Sequence, residues 1–224
     1  MPFLFVSLLA AFRVCDTPGA VRIGLLGPAE GDVASLGRAS EFLLNTAKVS
    51  RAIYLGVDGA LDRAVAAWAR KLVGDDPSDE HAWRRAADVA VQGTPEQIDR
   101  FVSLERSRQR LKSLEALPSA TGCTMEMVAD RVAVLVFDKA NLDEEDILAA
   151  NILVFGKSDA PLVKKIGARW FVSPGVLGAT GGVGVLDDER EEIQLTFYTV
   201  AGTVTGSHVL NVARATRMRV QGEP

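Results

Sequence analysis

Short apolar runs closed by glycine alternate with stretches of helical period through the first half of the chain. Ile23 to Leu26 ends at Gly27, residues 52–55 end at Gly56, and Val89, Ala90 and Val91 precede Gly93. An apolar run bounded by glycine predicts a buried strand meeting a loop. Between the first two runs, Val33, Leu36, Leu43 and Ala47 recur at helical spacing behind Asp32, which can cap them. Leu61, Ala64, Val65, Trp68 and Leu72 predict a second amphipathic helix. The turn cluster Gly74-Asp75-Asp76-Pro77-Ser78 breaks it, and residues 79–87 predict a further short helix. Thr94-Pro95-Glu96-Gln97 is a helix start, with Thr94 as cap, Pro95 at the first position and Gln97 closing a capping box. That helix is expected to run to about Leu117, before Pro118. Strands alternating with helices predict an α/β sheet.

The second half reads mostly as strand and turn. Residues 125–128 and 132–137 flank Asp130-Arg131 as a hairpin, and residues 143–150 form a short acidic helix. Ile152–Phe155, Leu162–Ile166 and residues 170–172, 182–186, 193–200 and 204–212 follow as strands, with Asp187-Asp188-Glu189-Arg190 as a charged tip. No repeat, low-complexity tract or linker interrupts the chain from residue 21 onward, which predicts a single domain over 21–224. Residues 1–20 carry a ten-residue apolar run from Phe3 to Phe12, broken only by Ser7. It is too short to span a bilayer. It also lacks the basic flank of a signal peptide, so it is read as an extension or a misassigned start.

Composition narrows the function classes. The 224 residues are 48% hydrophobic and 24% charged with a net charge of −4, the profile of a soluble globular protein. Nothing there suggests a nucleic-acid partner, and no membrane association is expected. Two cysteines, Cys15 and Cys123, without metal-type spacing fit a reducing, cytoplasmic setting. Two histidines, His81 and His208, are too few for a histidine-rich metal centre. Trp68 and Trp170 lie in apolar patterns that predict core positions. Trp83, beside Arg84 and Arg85, is the aromatic expected to be exposed.

The stretch from Asn151 to Gly178 carries the most specific signal. Two apolar strands end in polar loops, Gly156-Lys157-Ser158-Asp159 and Ser173-Pro174-Gly175-Val176. This frame resembles the small bacterial phosphodiesterases of the calcineurin-like metallophosphoesterase superfamily, where the loops read Gly-His-Thr-His and Asn-Pro-Gly-Ser. The resemblance runs from Val21 to about Val200. It implies a two-sheet αββα sandwich holding two metal ions at strand-end loops, where they activate a water against phosphorus.

The implied ligand positions are changed. Pro28 and Glu30 stand where the family has aspartate and histidine, and Val57 stands for the bridging carboxylate, with Asp58 one residue late. Thr94 takes the asparagine position in the third loop. Phe137, followed by Asp138, takes a histidine position, and Lys157 and Asp159 replace the histidine pair. Seven positions have thus lost the family ligand, and Lys157 places a cation where a dication would sit. The shaping glycines Gly31, Gly56, Gly93, Gly156 and Gly175 remain.

The expectation is a catalytically inactive pseudo-phosphoesterase, with no cofactor, no metal ligands and no catalytic residues. It would serve as an interaction or scaffold module for an unidentified protein partner. The phosphoesterase-like subunit of the retromer coat is a precedent within the superfamily for such use. Two alternatives stay open. One is a divergent phosphodiesterase with a carboxylate site from Glu30, Asp58, Asp138 and Asp159. The other is a sensor of small anionic ligands using Lys157. An ion pair of Lys157 with Glu30 or Asp159 is expected in place of metal cross-linking.

Overall fold

The computed structural model describes residues 21–188 and 192–211. The expected extension over 1–20, the end of the charged tip and the last residue of the 204–212 strand lie outside them. Two β-sheets form the centre. The six-stranded sheet has the order β11-β10-β9-β1-β2-β3, and the five-stranded sheet the order β4-β5-β6-β8-β7. Their strands are β1 (Arg22–Leu26), β2 (Arg51–Tyr54), β3 (Leu114–Ala116), β4 (Cys123–Val128), β5 (Arg131–Val136), β6 (Ile152–Phe155), β7 (Leu162–Ile166), β8 (Arg169–Ser173), β9 (Val183–Asp187), β10 (Ile193–Tyr198) and β11 (Val204–Leu210).

Period-two alternation decides which side chains fill which layer. Ile23, Leu25, Ile53 and Leu55 project inward to meet Ala133, Leu135, Ile152, Val154 and Val172 of the other sheet. Leu26, Ala52 and Tyr54 project the opposite way, against the helices α1 (Val33–Glu41) and α2 (Ala60–Val73). The five-stranded sheet turns Val134, Val136, Leu153 and Phe155 outward onto Ala150 and Leu142, beside α5 (Glu144–Ala149). The layers are therefore helix, sheet, sheet, helix, an α/β sandwich.

Parallel pairing joins β1, β2 and β3, and likewise β5, β6 and β8. The carboxyl ends of these strands bring their loops to one edge of each sheet, where open α/β sheets place ligands. The β4–β5 hairpin turns through Ala129 and Asp130, both at positive φ (47° and 58°). That is the geometry of a two-residue hairpin turn matched to strand twist.

Three expectations are corrected. Val89, Ala90 and Val91 are not a strand: they are the last turn of α3 (Asp79–Gln92), which Ser78 caps through the His81 amide. A central strand would bury Val91, yet it is 81% exposed. The third strand is β3, only three residues long, after α4 (Pro95–Leu111) ends six residues short of Leu117. Arg51 holds that edge strand by a bidentate pair with Glu115 at 2.8 and 2.7 Å. Finally, the first helix does not run straight to Ala47. It widens into a π-helical turn at Phe42–Thr46, and Val33 faces solvent.

Candidate functional site

Short loops follow β1, β2, β6 and β8 at the carboxyl edge, and they are stitched together through their backbones. The Gly27 amide donates to the Gly182 carbonyl at 2.8 Å, the Gly182 amide to the Pro174 carbonyl at 2.9 Å, and the Leu177 amide to the Pro28 carbonyl at 2.9 Å. These bonds leave no room for side chains at two crossings. A β-carbon on Gly27 would stand 1.8 Å from the Gly175 carbonyl oxygen, and one on Gly156 would stand 2.2 Å from the Leu55 carbonyl oxygen. Gly27, against Gly175, and Gly156, against Leu55, thus keep the loops of the two sheets in direct main-chain contact.

Two polar links complete the edge. Tyr54, fully buried at the end of β2, accepts from the Ala29 amide and donates to the Asp58 carboxylate, both at 2.9 Å. Asp58 also accepts from the Ala60 amide at 3.0 Å, at the start of α2. The chain Ala29–Tyr54–Asp58–Ala60 ties the loop after β1 to the loop after β2. Burial, with the Asp58 carboxylate adding to it, pushes the Tyr54 phenol up to about 12. The second link joins β5 to β6: the Lys157 ammonium donates to the Asp138 carboxylate at 2.5 Å. That bond holds the Asp138 carboxyl below its ordinary value. The Lys157 amide adds a bond to the Phe137 carbonyl at 2.8 Å.

The sequence-predicted positions sort accordingly. Pro28, Glu30, Val57, Phe137, Lys157 and Asp159 all lie in strand-end loops as expected. Glu30 is exposed at a positive φ of 48°, Val57 and Asp159 are exposed, and Phe137 packs its ring against the inter-sheet core. Thr94 is different. It caps α4 in a capping box with Gln97 and follows α3 rather than a strand. The loop that follows β3 is Leu117-Pro118-Ser119-Ala120, which offers neither asparagine nor carboxylate. The partner of Lys157 is Asp138, not Glu30 or Asp159. Tyr54 was missed as a site residue. Its signal was present in the sequence, a carboxylate four residues after an aromatic at a strand end.

A two-metal centre of the phosphoesterase type does not fit these residues. Among the described residues, no group of three or more His, Cys, Asp or Glu side chains is placed to hold a metal ion. Asp58 is bonded to Tyr54 and Asp138 to Lys157, so the two best-placed carboxylates already have donors. Trp83 is 82% exposed on α3, as expected of it, while Trp68 and Trp170 are half-buried against the cores. Among the described residues, no helix is long and apolar enough to cross a membrane.

No protein-family model matches the chain, and no curated protein matches it. Solved structures do resemble it. A predicted phosphoesterase of Streptococcus pneumoniae TIGR4 aligns at 10% identity with a TM-score of 0.48, covering 85% of this chain and 98% of its own. A novel archaeal phosphodiesterase aligns at 11% identity and TM-score 0.43, covering 79% and 99%. Vps29 of Entamoeba histolytica, solved with zinc, aligns at 14% identity and TM-score 0.44, covering 85% and 99%. These neighbours are calcineurin-like metallophosphoesterase-fold proteins. At such identities and scores the likeness bears on neither activity nor partner. The architecture of this chain rests on its own strand order and layers.

Proposed function

We propose that this chain is a pseudo-phosphoesterase: a phosphoesterase-type sandwich without hydrolytic chemistry, acting from residue 21 onward as one cytoplasmic interaction or scaffold module. The observation that carries this reading is the Lys157–Asp138 ion pair at the strand-end loops. An ammonium and its carboxylate stand where metal-mediated cross-linking would need imidazoles, and a fixed cation repels a dication. Backbone stitching at Gly27, Gly156 and Gly182 does mechanically what bridging ions would do. Support for an interaction role comes from α3, where Trp83 and Val91, eight residues apart on one face, are both more than 80% exposed.

The test pairs metal content with turnover. Protein dialysed against manganese is expected to retain no stoichiometric metal and to leave an aryl phosphodiester intact. Stoichiometric metal, with turnover abolished in Glu30→Ala or Asp159→Ala, would make this an enzyme with a rebuilt carboxylate site. For the interaction arm, a partner held by wild type is expected to be lost in Trp83→Glu/Val91→Glu. Retention by that variant would remove α3 from the proposal.

A further inference from the structure

The outer face of α3 carries an apolar stripe that no other described residue covers. Trp83, Ala87, Ala90 and Val91 follow one another at helical spacing, and all four are exposed, Trp83 at 82% and Val91 at 81%. The inner face packs on α4, where Arg85 pairs with Glu105. Arg84 and Asp88 stand beside the stripe on the outer face. Both are exposed, and neither has an ion pair or hydrogen bond among the described residues. An exposed tryptophan with an unpaired arginine next to it is the composition of an interface rather than of a solvated helix face.

The stripe is complementary to itself. Ala87 lies at its midpoint, four residues from Trp83 and four from Val91. A two-fold axis through Ala87 lays α3 antiparallel on α3 of a second copy, and each flank of the stripe then faces the same flank of the other copy. Trp83 and Ala90, seven residues apart, share one flank. The axis brings each indole to within one residue of the other copy's Ala90, a large side chain over a small one. Arg84, Asp88 and Val91 share the other flank, at spacings of four and three residues. There the axis sets each Arg84 two residues, about 3 Å of helix rise, from Asp88 of the other copy. Two unpaired charges of opposite sign thus meet twice. Ala87 against Ala87 at the crossing lets the helix axes approach to about 8 Å, the short end of helix packing distances.

We infer that α3 docks on α3 of a second copy of this chain, as a two-fold antiparallel helix pair centred on Ala87. The inference rests on the interaction role proposed above for Trp83 and Val91, and it names their partner. One helix pair covers less than the roughly 1,600 Å² of a standard interface, so the dimer is expected to be weak, with a Kd on the order of 10 to 100 μM.

The test is sedimentation equilibrium of the full chain at concentrations bracketing that Kd. Wild type is expected to show a monomer–dimer equilibrium, and Trp83→Glu to weaken it about ten-fold or more. Arg84→Asp sets like charges against Asp88 of the other copy, and Asp88→Arg sets like charges against Arg84. Each alone is expected to weaken the dimer about ten-fold. An equimolar mixture of these two variants is expected to recover the wild-type affinity, because each chain then meets the opposite charge at both contacts. Damage to the fold of α3 gives no such recovery. In a Cys15→Ser/Cys123→Ser background, Ala87→Cys is expected to cross-link to itself on mild oxidation. Glu80→Cys is not, since its two copies lie about 21 Å apart along the helix pair. A chain that stays monomeric, a mixture no tighter than its components, or cross-linking at residue 80 rather than 87 would overturn the inference. A monomer that holds a different protein through Trp83 overturns self-association alone, whereas metal-dependent turnover overturns the pseudo-phosphoesterase reading and leaves the dimer standing.

Discussion

Replacing Tyr54 by phenylalanine keeps the ring in its buried place and deletes only the hydroxyl that joins two site loops. The structure sets the size of the effect. The Ala29 amide, in a residue 2% exposed, loses its acceptor, and Asp58 loses one of its two donors at 2.9 Å. A neutral hydrogen bond contributes about 1 kcal/mol and one to a charged group about 2 kcal/mol, with a stranded buried donor at the upper end of such values. The expected loss is therefore about 3 kcal/mol, read as a lower urea midpoint with an unchanged slope. A pH arm sharpens it. The folded-state phenol, pushed up to about 12, titrates above its ordinary value of 10.0. A raised pKa gives stability that is fully present below pH 10 and lost as pH rises through 12. Wild type should forfeit about 2 kcal/mol over that window and Tyr54→Phe should not, so the gap between them narrows from about 3 to about 1 kcal/mol. A loss below about 0.5 kcal/mol at neutral pH, or a gap constant with pH, would refute the role given to this hydroxyl.

Other variants test the remaining links. Gly27→Ala drives a β-carbon into the Gly175 carbonyl oxygen and is expected to cost about 3 kcal/mol in urea unfolding, with Gly156→Ala similar; a neutral outcome would mean that the loops are not in contact. Arg108, 4% exposed, donates to Glu105, Asp79 and the Pro77 carbonyl, binding α4 to α3. Arg108→Ala should cost about 2 kcal/mol by removing the ties from α4 to Asp79 and the Pro77 carbonyl, while Glu105 keeps its pair with Arg85. Hydrogen bonds from Lys112 and then Arg108 hold the Asp79 carboxyl far below its ordinary 3.8, so their stabilisation is present above that pH and lost as pH falls below it. An acid titration of Arg108→Ala should show a shallower loss than wild type. Lys157→Met should lower Tm by no more than about 3 °C, because its ammonium is largely exposed. It should also weaken the acid dependence that the lowered Asp138 carboxyl contributes as pH falls below 3.8.

What the sequence determined by itself was local and periodic. The runs at Ile23 and Ile152 that end at glycine are strands ending in loops, because a continuous apolar run with a flexible stop has few other solutions. Thr94 and Gln97 closed a capping box, since four adjacent residues satisfy each other's orphan amides without help from elsewhere. The ordered loops around residues 151–178 were legible enough to carry a resemblance to a two-sheet fold. Tertiary structure alone decided the rest. Leu114–Ala116 is a strand only because β2 offers it a parallel partner and Arg51 holds Glu115; three residues carry no period of their own. Val91 escapes strand formation because α3, launched from Ser78, continues through it with no sheet edge to receive it. The choice of Asp138 for Lys157 depends on how far β5 and β6 extend before their loops turn. Side-chain partners across a sheet are set by register and loop packing, which are sums over many distant contacts and leave no mark at the residues themselves.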